Sequence, residues 1–128
     1  MLKKLIFVVF LGAALTLGLV ACGSTSSATD TTGAEVHMSG TEFVQKSITI
    51  KKGSSLTLIS DDMMAHIIAN GTWDNGTAKP GKEPGAPTVA NVQVAGNSQA
   101  SIGPFNTAGT FNLYCTIHPG MNLTVFVR

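Results

Sequence analysis

From Val36 to Arg128, apolar and β-branched residues come in short runs that alternate with polar residues, and turn residues separate the runs. In Thr110-Phe111-Asn112-Leu113-Tyr114-Cys115, the residues Phe111, Leu113 and Cys115 share one face. Leu123, Val125 and Val127 do the same near the end of the chain. Residues 42–44, 47–50, 56–59, 65–69, 89–94 and 100–102 read as further strands. A period of two is what a strand with one buried face requires. No stretch beyond residue 21 has the 3.6-residue period of a helix. The pattern predicts an all-β, antiparallel sandwich or barrel of about seven to eight strands. Lys51-Lys52-Gly53-Ser54 reads as a hairpin turn between two of them. Residues 70–88, rich in Asn-Gly and Pro-Gly pairs, read as one long irregular loop with Trp73 as its packing anchor.

The start of the chain follows other rules. Lys3 and Lys4 precede an apolar run over residues 5–20, and 16 of the first 21 residues are hydrophobic. A charged start and a short apolar core make a secretory signal, expected over residues 1–21. The run ends in Leu19-Val20-Ala21-Cys22-Gly23, which resembles a bacterial lipobox with Cys22 as the lipidated residue. The other readings are an uncleaved anchor helix, or a Cys that merely follows a signal. Residues 22–34 are rich in Ser, Thr and Gly, a composition that buries no core and serves as a flexible tether. Twelve such residues reach about 20 Å. Residues 35–128 form the expected domain, exported and held at the outer face of the cytoplasmic membrane or in the periplasm.

Charge excludes some partners. Only 12% of the chain is charged, against about 25% in an average protein. Without Lys3 and Lys4 the two signs nearly cancel, so there is no basic field for nucleic acid.

If Cys22 carries lipid, Cys115 is the remaining thiol of the two in the chain. A lone thiol in an oxidising compartment must be buried or bound to something. Its surroundings say which. In Tyr114-Cys115-Thr116-Ile117-His118-Pro119-Gly120-Met121, a thiolate, an imidazole and a thioether fall at the spacing Cys-x2-His-x2-Met. Thiolate and thioether are soft ligands, imidazole suits copper, and two His, one Cys and a weak axial Met make the trigonal blue-copper site. The chain has three histidines, so the second is His66 or His37.

At these residues the sequence resembles the cupredoxins of the plastocyanin/amicyanin type. The short ligand loop is similar to that of amicyanin, and the resemblance runs over roughly residues 35–128. It implies a Greek-key β-sandwich with one copper at one end, ligated by His66, Cys115, His118 and axial Met121. It also implies an outer-sphere electron carrier, monomeric, with redox proteins as partners. His118 would lie near the surface inside an apolar docking patch of Met64, Ala65, Ile117 and Pro119. Two positions differ from relatives. Ile67 stands where many carry a polar residue that bonds across to the ligand loop, and the 70–88 segment has no counterpart in amicyanin.

Other readings are narrower. Met63 and Met64 read as fillers of gaps in the core, or else as contacts at the rim of the copper site. His37 reads as structural or exposed, and Asp61 and Asp62 as a solvated turn. A copper chaperone or scavenger is the alternative function. A dinuclear copper centre needs two Cys on the loop, and a multicopper enzyme needs a second domain. No Ser/His/Asp set marks an enzyme.

Overall fold

The computed structural model describes residues 33–128. The expected signal, the lipidation site at Cys22 and nearly all of the tether lie outside them. The described chain forms ten strands and no helix: β1 (Ala34–Ser39), β2 (Glu42–Phe43), β3 (Ser47–Ile50), β4 (Leu56–Ser60), β5 (His66–Asp74), β6 (Thr77–Pro80), β7 (Val92–Val94), β8 (Gln99–Ile102), β9 (Gly109–Cys115) and β10 (Asn122–Val127). One sheet has the order β2-β1-β4-β8, and the other β3-β10-β9-β5-β6 with β7 also paired to β5.

The two sheets bury their alternating faces against each other. Val36, Met38, Leu56 and Leu58 from one sheet meet Ile68, Leu113, Leu123 and Val125 from the other, all at most 1% exposed. Each fully buried side chain of this size contributes about 1.5–3 kcal/mol. The faces expected from the alternation are the buried ones: Phe111, Leu113 and Cys115 on β9, and Leu123, Val125 and Val127 on β10.

The structure corrects several details. Ten strands form where about seven to eight were expected, because β2 and β6 are short additions. The sheets are mixed, since β1 pairs parallel to β4 and β3 parallel to β10. Residues 51–54 do turn, with the Ser54 amide donating to the Lys51 carbonyl at 3.0 Å. They do not close a hairpin, because β3 and β4 lie in different sheets. The segment 70–88 is not one loop either. Its first part is a hairpin of β5 and β6, with Asn75 and Gly76 at φ 48° and 76° in the turn. Two consecutive residues at positive φ are what a tight two-residue hairpin needs, and Asn-Gly supplies them at low cost. The rest of the segment is strapped to β5 by Asn70, whose Oδ1 accepts the Val89 amide at 2.6 Å.

β10 runs from Asn122, beside Tyr114, to Val127, beside Gly109. The amide of Lys52 donates to the carbonyl of Arg128, and Ala34 pairs with Leu56. The chain therefore enters the sandwich at the end opposite Cys115.

Candidate metal centre

Two strand ends and one short connection bring the predicted ligands to one end of the sandwich. His66 opens β5, Cys115 closes β9, and His118 and Met121 sit in the connection to β10. That connection is tied by its own main chain. The amide of Cys115 donates to the Met121 carbonyl at 3.0 Å, and the amide of Met121 to the His118 carbonyl at 3.1 Å. The second bond closes a four-residue turn with Pro119 second and Gly120 third, the latter at φ 81°. Pro followed by a residue at positive φ is the signature of a type II turn, and Gly meets it without strain.

His66, Cys115 and His118 converge, with their ligand atoms all within 4.8 Å of one another. Nδ1 of His66 lies 4.0 Å from the Cys115 sulfur, and Nδ1 of His118 lies 3.4 Å from it. Donors bound at about 2.0–2.3 Å to one trigonal metal ion stand about 3.8 Å apart. The spacing fits a metal held between the sulfur and the two nitrogens, and the donor set of one thiolate and two imidazoles suits copper. The two rings meet edge to face, with centroids 5.1 Å apart.

Burial orders the set. His66, Cys115 and Met121 are buried and His118 is half-buried. Burial holds His66 below its ordinary pKa of 6.5, and the positive charge His118 can carry adds to this, while Asp62 opposes it. The neutral imidazole is the form that ligates a metal. For Nδ1 to ligate a metal the ring proton would sit on Nε2, which is buried without a hydrogen-bond partner among the described residues.

The other histidine candidate is elsewhere. His37 on β1 places Nδ1 2.7 Å from Asp61, and its Nε2 3.8 Å from Glu35. It is not part of the cluster.

Ile67, the residue that departs from relatives, reaches the ligand loop through its main chain. Its amide faces the Cys115 sulfur at 3.5 Å, and its carbonyl accepts the Thr116 amide at 2.8 Å. Met63 and Met64 do not fill the core. They are 86% and 41% exposed, because the segment before β5 lies on the surface. Ala65, Ile117 and Pro119 are exposed as well, so the four residues named for a docking patch are all on the surface. A depression of about 480 Å³ lies between Ala65, Ile117, Val94 and Ser98, and His66 lines it. Asp62 does more than face solvent. Its carboxylate accepts the amides of Gly40 at 2.6 Å and Met64 at 2.8 Å, and the Ser39 hydroxyl, which fixes the segment leading into His66.

Two residues at the site carry roles the sequence did not reveal. The indole Nε1 of Trp73 donates to the Cys115 carbonyl at 2.8 Å. Asn122, next to Met121, clamps the Trp73 main chain, accepting its amide at 2.7 Å and donating to its carbonyl at 3.0 Å. The Asn75-Gly76 pair signals the hairpin, but nothing local to Trp73 says where its ring lands.

Comparison with known proteins agrees with this geometry. The family of copper binding proteins described as plastocyanin/azurin matches residues 28–128. A comparison with curated proteins returns no significant match. Among solved structures, amicyanin from Paracoccus versutus superposes with a TM-score of 0.56 at 21% identity, over 75% of this chain and 81% of that one. A purple cupredoxin from Nitrosopumilus maritimus gives 0.58 at 18% identity, over 74% of this chain and 99% of that one. At these identities the structural likeness establishes the fold. A match to the family over most of the sequence, on a cupredoxin sandwich with a His-Cys-His cluster at one end, shows that the chain belongs to the plastocyanin/azurin family of copper binding proteins.

Proposed function

We propose that the protein is a mononuclear blue-copper electron carrier, held at the outer face of the membrane by lipid on Cys22. The observation that carries this is the buried convergence of the Cys115 sulfur with Nδ1 of His66 and Nδ1 of His118, at 4.0 and 3.4 Å. His66, Cys115, His118 and Met121 would hold the metal. Bound copper supplies one-electron chemistry between its cupric and cuprous states.

The rest is done by the chain. Strands on both sides and the turn at Pro119-Gly120 hold the donors in one arrangement, so little rearranges when the charge changes. Burial of Cys115 shields the thiolate from oxidants. His118 is half-buried, beside the exposed Ile117 and Pro119, so its ring edge would be the way out for an electron. An apolar rim of this kind loses water readily against a partner redox protein. A metal held by all four donors would have no position left for a substrate, which supports a carrier over an enzyme. The chain enters at the opposite end of the sandwich, so a tether there leaves the site facing away from the membrane.

The exposed thioethers of Met63 and Met64 are the feature that favours the alternative, a surface copper chaperone or scavenger. Repeated reduction and reoxidation separates the two. A carrier cycles reversibly and keeps its copper through dialysis against a cuprous chelator. A chaperone gives the metal up in the reduced state.

A further inference from the structure

We propose that Trp73 is a positioning residue for the Cys115 ligand, and that the β5–β6 hairpin sets the reduction potential of the copper site through it. This rests on the copper reading above.

One strand grips Cys115 at several points. β5 carries His66 at its start, and the next residue, Ile67, meets the Cys115 sulfur with its amide and the Thr116 amide with its carbonyl. At Gly71 the strand bends at φ 135°, and the hairpin folds over the outer face of β9. A Cβ there would lie 2.5 Å from the Lys79 carbonyl oxygen and 2.8 Å from Cε1 of Tyr114, so the approach needs glycine. The bend lays the Trp73 ring edge-on against Tyr114, with centroids 5.9 Å apart. It also brings the indole N–H to the Cys115 carbonyl at 2.8 Å.

The peptide plane that follows the ligand is thus pinned on both sides. Its N–H, from Thr116, goes to Ile67, and its carbonyl oxygen, from Cys115, receives the indole. Cys115 is fully buried, so no water replaces a lost donor at that carbonyl. Asn122 fixes the height of Trp73 from the other end of the ligand loop, by two bonds to its main chain.

Two consequences follow for the metal. The pinned plane fixes the direction in which the Cys115 sulfur is presented. The indole dipole also puts its positive end toward the site, which favours the reduced, more electron-rich state.

The chain has a single tryptophan, so the bond can be tuned without changing any other residue. Trp73→Phe keeps a ring against Tyr114 and removes the donor. In the copper-loaded protein it should shift the thiolate-to-copper band. It should also lower the ratio of cuprous to cupric affinity three- to tenfold, a fall of about 28 to 59 mV for a one-electron couple. Replacing Trp73 biosynthetically with a ring-fluorinated tryptophan makes the N–H a stronger donor, and the potential should move upward. Unchanged potential and band in both proteins would overturn the proposal, even if thermal stability fell. If Trp73→Phe does not fold, the fluorinated protein decides. In the metal-free protein, the indole N–H should exchange slowly with solvent in NMR, and free exchange would also overturn the proposal. That measurement stands if the wild type shows no blue-copper band, an outcome that would count against the electron-carrier reading instead.

Discussion

The main-chain amide of Ile67 lies 3.5 Å from the sulfur of Cys115, so the residue after one imidazole candidate touches the thiolate candidate directly. Where relatives are expected to bond across with a polar side chain, this chain does so with backbone atoms of β5. Backbone donors cannot rotate away, so the contact is as rigid as the strand.

The bend at Gly71 is the hinge on which the hairpin depends. Gly71→Ala places a methyl group against the Lys79 carbonyl and Tyr114, at a φ of 135°. Such a change costs more than about 1 kcal/mol. Thermal unfolding should therefore fall by at least about 4–8 °C. The signal to follow is Trp73 fluorescence, which should report a more solvated ring, while an unchanged melting point would show that the hairpin bends freely.

Two exposed carboxylates on the segment before His66 give the protein a pH signature. The Asp61 carboxylate, hydrogen-bonded to His37, holds that histidine above its usual 6.5. Its contribution is fully present below pH 6.5 and is lost as pH rises through the raised value. The amides of Gly40 and then Met64 hold Asp62 below its usual 3.8. Its contribution is present above pH 3.8 and is lost as pH falls through the lowered value. The melting-point difference between wild type and His37→Gln should therefore be largest below pH 6.5 and shrink above it. For Asp62→Asn the difference should be largest above pH 3.8. A difference independent of pH in either case would mean that the group does not titrate as described.

The apolar rim predicts how the protein meets its partners. If electrons leave through the His118 edge, as proposed, two copies exchange them by bringing those edges together, with the exposed Ile117 close to its counterpart. Ile117→Lys sets like charges face to face there, and self-exchange measured by NMR line broadening should slow about tenfold or more at low salt. The midpoint potential should rise only slightly, because the added positive charge sits on an exposed residue outside the donor set, where solvent screens it. Unchanged self-exchange would move the contact to another face.

The sequence made some of this legible and not the rest. Phe111, Leu113 and Cys115 alternate within one strand, and Cys115, His118 and Met121 lie within one loop, so local spacing suffices to place them. His66 could not be separated from His37 by spacing, because the choice depends on which strand passes beside β9. The burial of Tyr114 was equally invisible, since it sits on the outward face of β9 and is covered only because Gly71 lets the hairpin fold back. The turn at residues 51–54 suggests a hairpin because a turn looks alike whether it joins neighbours in one sheet or crosses to the other. Met63 and Met64 carried no pattern at all, and only the surface course of the chain decides their exposure.

The most direct measurement is the visible spectrum of the protein as cupric ion is added, beside that of Cys115→Ser. The thiolate, held 3.4 and 4.0 Å from two imidazole nitrogens, should give the wild type an intense charge-transfer colour that saturates at one copper per chain. The variant should stay colourless while keeping its fold. A wild type that binds copper without that band, or a Cys115→Ser protein that retains it, would contradict the assignment of a blue-copper site.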